Sequence, residues 1–425
     1  MTPTGKRHIS PVDTIWLNMD RPNNLMVIIS LMFLESVPAW DDLAEVIRGG
    51  IVERFPVFSQ RPTPPLVPVG LPSWEDDPDF SLEHHLHHVT LAAPGDDATL
   101  QRYVDERIPV PLDRAHALWE IHLIDGYGSG AVLFCRFHHA LADGIALTRV
   151  LLSMTEDGRG ARSPDADRGD EVTGTHDHSL VRDMISTTMA LARGGLEQVS
   201  HLAHPSAVVD ALGLGVRTSE VVADLLLAHN PDNVFNGTPG VRKRVVWTRA
   251  FPLADLKRVS RLAQATLNDL LLSAVAGALH TYQRDHGAEP VDLVTMVPVN
   301  VRPLDQPLPR ELGNQFAILF FKFPSETPTA VGRLAETKRR MDWLKASPEA
   351  VLTFGLIAAI GRTTRDLERY IVDFFANKAI GVTTNVAGPT SIRTFAGVPM
   401  TSVLGWVPGS GKQTVGVCIF TYAGT

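Results

Sequence analysis

In the stretch FHHALADGIA two adjacent histidines, His138 and His139, precede Asp143 and Gly144, where an apolar strand reads as ending and a helix as beginning. Histidine suits proton transfer because its unperturbed pKa, about 6.5, lies near neutral pH. Successive residues of an extended segment point to opposite sides, so the two rings are expected to do different jobs, with one facing a cleft. Asp143 can pair with a basic group to brace the loop, or with the imidazole itself. Turn formation accounts for Gly144 and at most Asp143, and leaves both histidines unexplained. Metal binding is a poor fit here, because adjacent histidines seldom converge on one ion and the two-histidines-on-one-helix-face spacing of zinc proteases is missing. A second cluster, EHHLHHV, carries His84, His85, His87 and His88. A His-rich tract can hold zinc or nickel. These positions alternate, which spreads the rings over both faces of a strand, and no metal site is expected.

The elements that must position the motif can be read from periodicity. LMVIISLMFLE is a buried strand, and AVLFCRF returns as another after WEIHLID and the turn DGYGSG, with Trp119, Ile121 and Leu123 facing inward and Glu120 and His122 outward. WDDLAEVIRGGIVERFP places Leu43, Val46, Ile47 and Ile51 on one helix face, with Asp41 as the expected N-cap. From Glu156 to His178 the chain is polar and Gly-rich, without apolar period, and reads as a loop or linker. Amphipathic helices follow within residues 180–228, and RVVWTRAFP is strand-like. TLNDLLLSAVAGALHTYQ is a strong helix, and VDLVTMVPVNVR, FAILFFKFP and VGVCIFTYA are strands. Three segments result: an N-terminal mixed α/β domain over 1–155 carrying HHALADG, a linker with connecting helices over 156–240, and a C-terminal α/β domain over 241–425.

At 425 residues the chain exceeds the size of one hydrophobic core, in keeping with two domains. A formal net charge of −8 provides no global basic field, so nucleic acid is not an expected partner. The run Arg242–Arg244 is either a local anion patch or a solvated strand start. Cys135 and Cys418 lie far apart in apolar stretches, which suits a reducing compartment, and the N-terminus lacks the order of a signal peptide. A cytoplasmic location is expected. The most lipid-like stretch, NLMVIISLMFL, is shorter than the about 20 residues a spanning helix needs.

Several blocks, in this order, resemble the bacterial wax ester synthase/diacylglycerol acyltransferase family: PLDRAHALWE, HHALADG, the Asn268–Asp269 pair in TLNDLLLSAVAGAL, and TNVAGP. SPVDTIWL, FSQR, FNGTPGVRKR, VPVNVRP and LGNQF extend the likeness over nearly the whole chain outside the polar linker. HxxxD alone would indicate only the wider superfamily of coenzyme A-dependent acyltransferases and condensation domains. The resemblance implies two chloramphenicol-acetyltransferase-like α/β domains with mixed sheets and an active-site tunnel at their interface.

By the same resemblance His139 is the general base, taking a proton from an alcohol that attacks an acyl-CoA thioester and returning it to the thiolate, with no acyl-enzyme. Asn268 would supply an oxyanion donor or orient substrate, unless it is simply a helix N-cap. Asp143 would be structural, paired with an arginine, for which Arg302 is the candidate; His138 would support the loop and Gly144 would let the backbone turn tightly into the helix. Asn385, Gly388 and Pro389 would lie near the substrate channel, although NxxGP is also an ordinary turn. No cofactor is implied. The implied partners are acyl-CoA and diacylglycerol or a fatty alcohol, giving triacylglycerol or wax ester, with peripheral contact to a membrane or lipid droplet. A carrier-protein thioester donor or glycolipid acceptor, and a non-catalytic lipid-binding protein, are the alternatives; the intact HHALADG speaks against the last. The chain departs from the family pattern at Val27, Ala117, Thr384 and Ala387.

Overall fold

Eight residues without polar alternation, VIISLMFL, mark a strand covered on both faces, and they form β2 (Val27–Leu34), buried at every position except the half-buried Ser30. The structure is a computed structural model that describes residues 6–65, 70–157, 230–302, 306–345, 347, 353, 355, 357, 360–361 and 363–425. The helices expected within 180–228, and all but the first two residues of the polar run 156–178, lie outside the described residues.

β2 is the centre of a seven-stranded sheet. On one side it pairs antiparallel with β7 (Gly130–His138), which hairpins back from β6 (Trp119–Tyr127), and β5 (Leu86–Thr90) runs parallel to β6 at the edge. The two-residue turn and a bulge between Ile124 and Tyr127 use Gly126 and Gly128 at positive φ, 74° and 56°, where a side chain would be strained. His122, expected to face solvent, is buried. Helix α3 (Asp97–Arg107) covers that face of the sheet, and the Tyr103 hydroxyl meets His122 Nδ1 at 2.7 Å. Helix α2 (Trp40–Ile47) buries Leu43 and Ile47, but it starts after Ala39, so Asp41 sits inside the first turn and is not the cap.

A second sheet of four strands has the order β10 (Phe316–Phe323), β9 (Leu293–Asn300), β11 (Gly381–Ala387), β14 (Val415–Thr421). Its core joins Leu293, Ala317, Phe321 and Phe323 to Leu272, Ala276 and Leu279 of α6 (Leu267–Asp285) and to Met341 of α7 (Ala330–Lys345). β11 and β14 are parallel, and parallel neighbours need a long crossover. Here the crossover leaves the sheet altogether. β12 (Arg393–Phe395) and β13 (Val398–Trp406) form a hairpin that pairs antiparallel with the free side of β2, from Met400 opposite Leu34 to Trp406 opposite Ile29, before the chain returns as β14. Gly381 sits so close to its β14 neighbour that an added Cβ would lie 1.5 Å from the Val415 carbonyl oxygen.

RVVWTRAFP is not a strand. Among the described residues it finds no ladder partner, and it runs irregularly, burying Val245 in the core beside the first sheet, with Trp247 packed on Phe33 and Trp406. Arg244 at its start and Arg242 two residues before it are exposed. The mixed α/β fold expected from the sequence is thus present.

Candidate active site

β7 ends at His138, whose N–H bonds to the Leu118 carbonyl, and the next N–H, that of His139, bonds to the Met26 carbonyl at 2.7 Å. A tight turn follows, and α4 (Gly144–Ser153) begins with Asp143 as its N-cap, Oδ1 accepting from the Ala146 N–H at 2.8 Å. The two rings diverge. His138 Nδ1 accepts from the Ala140 N–H, so Nε2 carries the hydrogen that it donates to Asp20 Oδ2 at 3.1 Å. Asp20 also accepts from the Met26 N–H and from Arg114. His138 therefore ties the motif to the loop between α1 (Pro11–Met19) and β2 and does not line the cavity described below.

His139 is held from three sides. The indole of Trp16 stacks on it with ring centroids 3.7 Å apart and planes 14° from parallel, Phe316 lies at 6.2 Å, and Nδ1 is 2.9 Å from Asn314 Oδ1. Burial pushes the imidazole pKa down to about 4, against the opposing pull of its own carbonyl and Asn314, so at neutral pH the ring is uncharged. Asn314 Nδ2 donates to Asp13 Oδ1 and to the His139 carbonyl oxygen, both at 2.7 Å.

Asp143 Oδ2 accepts from the Gln315 N–H at 3.0 Å and meets Arg302 Nη2 at 3.5 Å; Arg302 also donates to the Gly313 carbonyl at 2.7 Å. Asp143 thus pairs with the arginine and not with the imidazole. Burial raises its carboxyl pKa, with Arg302 the main opposing influence. These bonds fix the segment 313–315 that carries Asn314 against the start of α4.

His139, Asp143, Gly144 and Asn385 line one cavity between the two sheets, walled by Ile28 and Met32 of β2, Leu147 of α4, Leu404 of β13, Val299 of β9 and Phe420 of β14. Its wall is mostly apolar, as a site for a hydrocarbon chain requires. Arg302, Asn268, Gly388 and Pro389 lie outside the lining. Asn268 is not the N-cap of α6. Thr266 is, in a reciprocal capping box with Asp269, while the Asn268 side chain accepts from Asn385 Nδ2 at 3.1 Å and so reaches the cavity only through Asn385. Gly388 is a close-packing position: a Cβ there would lie 2.2 Å from the Thr421 carbonyl oxygen. Of the four departures from the family pattern, only Thr384 lines the cavity.

Gly144 differs from its expected role. Its φ is not in the left-handed region, and an added Cβ would meet nothing within 4 Å, so what the glycine leaves is space on the cavity wall. Gly144→Val is expected to keep the thermal midpoint within about a degree or two, since a surface of this kind contributes little to folding. It should reduce kcat/KM for long acyl chains by about tenfold; a rate unchanged with palmitoyl substrates would place the chain elsewhere.

The histidines of EHHLHHV go to separate partners: His85 to the Trp119 carbonyl, His88 to Asp125, His84 against His116 and His87 against His122. No group of three or more metal-binding side chains occurs among the described residues. Asp13, Trp16, Asn314 and Gln315 were not singled out by residue chemistry, although SPVDTIWL and LGNQF contain them. Their signal was membership in those blocks; nothing local marks a polar side chain as buried.

The family model for the wax ester synthase/diacylglycerol acyltransferase catalytic domain matches residues 9–271, and that for the C-terminal domain of the same family matches residues 312–425. The chain belongs to the wax ester synthase/diacylglycerol acyltransferase family. It is therefore an acyltransferase. A putative diacylglycerol O-acyltransferase of Mycobacterium tuberculosis is 23% identical over 431 residues, 98% of this chain and 84% of the relative. The probable diacylglycerol O-acyltransferase tgs1 of the same species is 24% identical over 395 residues, 90% and 81% of the two chains. Among solved structures, the wax ester synthase/diacylglycerol acyltransferase of Marinobacter aquaeolei superposes with a TM-score of 0.66 at 20% identity, covering 98% of this chain and 91% of that one. A condensation domain of the CDA synthetase superposes at 0.55 and 15% identity, covering 100% and 89%. These likenesses establish the two-domain, chloramphenicol-acetyltransferase-like fold for this wax ester synthase/diacylglycerol acyltransferase family member.

Proposed function

We propose that this acyltransferase moves a long-chain acyl group from acyl-CoA to the hydroxyl of diacylglycerol or a fatty alcohol, with His139 as general base. The observation that carries this reading is a buried imidazole, its Nδ1 engaged by Asn314, on the wall of an apolar cavity between the sheets. With Nδ1 engaged, Nε2 is the nitrogen left to act. It takes the hydroxyl proton as the oxygen attacks the thioester carbonyl, and returns it to the CoA sulfur when the C–S bond breaks. Proton and electron pairs balance without a covalent enzyme intermediate or a cofactor.

Asn385, with Asn268 behind it, is the polar pair placed to orient the acceptor or the developing oxyanion, and Asp143 with Arg302 holds the loop. Because both acceptors partition into lipid, and no single helix among the described residues is long and apolar enough to cross a membrane, contact with a membrane or lipid droplet is proposed to be peripheral.

The test is release of CoA thiol from palmitoyl-CoA by purified protein with and without diacylglycerol or hexadecanol. Acceptor-dependent release with an esterified product is expected. Release that needs no acceptor, or none with either acceptor, would overturn the reading and turn attention to carrier-linked donors.

A further inference from the structure

A base that works through Nε2 must keep its single ring proton on Nδ1 through every turnover, and the surroundings of His139 contain a device for that. Asp13 lies in the first turn of α1, capped by Ser10, and is 5% exposed; Asn314 lies just before β10 and is 8% exposed. Asp13 Oδ1 accepts from both the Asn314 backbone N–H, at 2.9 Å, and its Nδ2, at 2.7 Å, and the His139 carbonyl oxygen accepts from the same Nδ2 at 2.7 Å. The two oxygens facing Nδ2 accept hydrogen bonds, so the amide can turn only one way, with Oδ1 toward the imidazole. That oxygen can only accept. The nearest ring nitrogen, Nδ1 at 2.9 Å, must therefore be the protonated one.

We infer that Asp13 and Asn314 are positioning residues that hold His139 in the Nδ1–H tautomer, with Asp13 acting through the orientation of the Asn314 amide. The inference rests on the base assignment proposed above and deepens it. What the relay asks of Asp13 is an acceptor oxygen, and the charge is incidental. Burial raises the Asp13 pKa to about 6, and its other oxygen, Oδ2, faces the Ser10 hydroxyl at 2.7 Å, where a proton can reside without disturbing Oδ1. The charged and titratable groups facing the relay are Arg7 toward Asp13 and His138 toward His139, with Ser10, Trp16 and Phe316 completing the surround.

The experiment is nitrogen-15 NMR of the histidine-labelled full chain, reading which ring nitrogen of His139 carries the proton, with His139→Gln used to identify the signal. Wild type is expected as the Nδ1–H tautomer. Asp13→Ala and Asn314→Leu are expected to give a mixture or the Nε2–H form, and kcat about 10- to 100-fold lower, a smaller loss than a fully wrong tautomer causes in serine proteases. Asp13→Asn keeps a carbonyl oxygen in the Oδ1 place and can donate to Ser10, so it is expected to restore the Nδ1–H signal and most of the rate lost in Asp13→Ala. A wild-type Nε2–H signal, or an Nδ1–H signal retained in both Asp13→Ala and Asn314→Leu, would overturn the inference. If Asp13→Ala does not fold, the wild-type and Asn314→Leu spectra decide. The spectra need no substrate, so loss of the relay and loss of the acyl-transfer reading are told apart.

Discussion

Replacing His139 by alanine is expected to lower acceptor-dependent acyl transfer by about 10³-fold or more, because positioned general-base catalysis contributes 10² to 10⁴ and, among the described residues, no other imidazole lines the cavity. The fold should survive, since the ring faces a cavity on one side and the backbone of position 139 keeps its N–H bond to the Met26 carbonyl and its carbonyl bond from Asn314 Nδ2. The same residue sets a second, sharper expectation. Its pKa is depressed to about 4 by burial, so the neutral, active form persists as pH falls until that value is approached. The acid limb of kcat/KM should therefore lie near pH 4, well below the about 6.5 of an exposed histidine. The stability sign is consistent: between about 4 and 6.5 the unfolded chain binds the proton that the folded one refuses, so His139 destabilises the fold progressively as pH drops through that window. Rate against pH on short-chain acyl-CoA, with thermal unfolding recorded alongside, measures both. An acid limb at 6 to 7 that titrates His139 itself would show the imidazole to be far better solvated than its surroundings indicate.

Asp143→Ala is expected to be among the most destabilising single changes near the site. The guanidinium of Arg302, 7% exposed, would be left buried beside the neutral Gly313 carbonyl, and stranding one member of a buried pair costs about 3–5 kcal/mol. Loss of the α4 cap adds about 1 kcal/mol. The Gln315 N–H would lose its acceptor at the same time, loosening the segment that holds Asn314. The denaturant midpoint should fall markedly, and activity should fall even at temperatures where the variant is folded. Asp143→Ala combined with Arg302→Leu should recover part of the midpoint, because the stranded charge is then gone; failure to recover any would mean the cost lies in the cap and the Gln315 bond alone.

Local pattern carried far in this sequence. β2, the β6–β7 hairpin, α4 and α6 were legible because hydrophobic period and turn residues are properties of neighbouring positions. The placement of HHALADG at a strand end followed from the same signals, and the choice of Arg302 as the partner of Asp143 followed from a motif resemblance; the structure places that pair in contact. What could not be read depends on distant partners. Asn314 meets His139 across 175 positions, and His122 looked solvent-facing until α3 covered it. Asn268 was ambiguous for a different reason: Thr266 and Asn268 are both good caps by type, and only the backbone decides which of them occupies that place.

The crossing hairpin has a consequence for how the chain is made. β2 is an eight-residue, almost wholly buried strand, and one of its two edges is satisfied only by β13, nearly four hundred positions from the start of the chain. Until residue 406 has left the ribosome, that edge stands open as a long apolar template for foreign strands. The first sheet therefore cannot be finished as an autonomous N-terminal unit during synthesis. Its last seam closes only once β13 has emerged, more than 360 positions after β2, which makes the nascent first half a natural client for holding chaperones and a poor candidate for expression on its own.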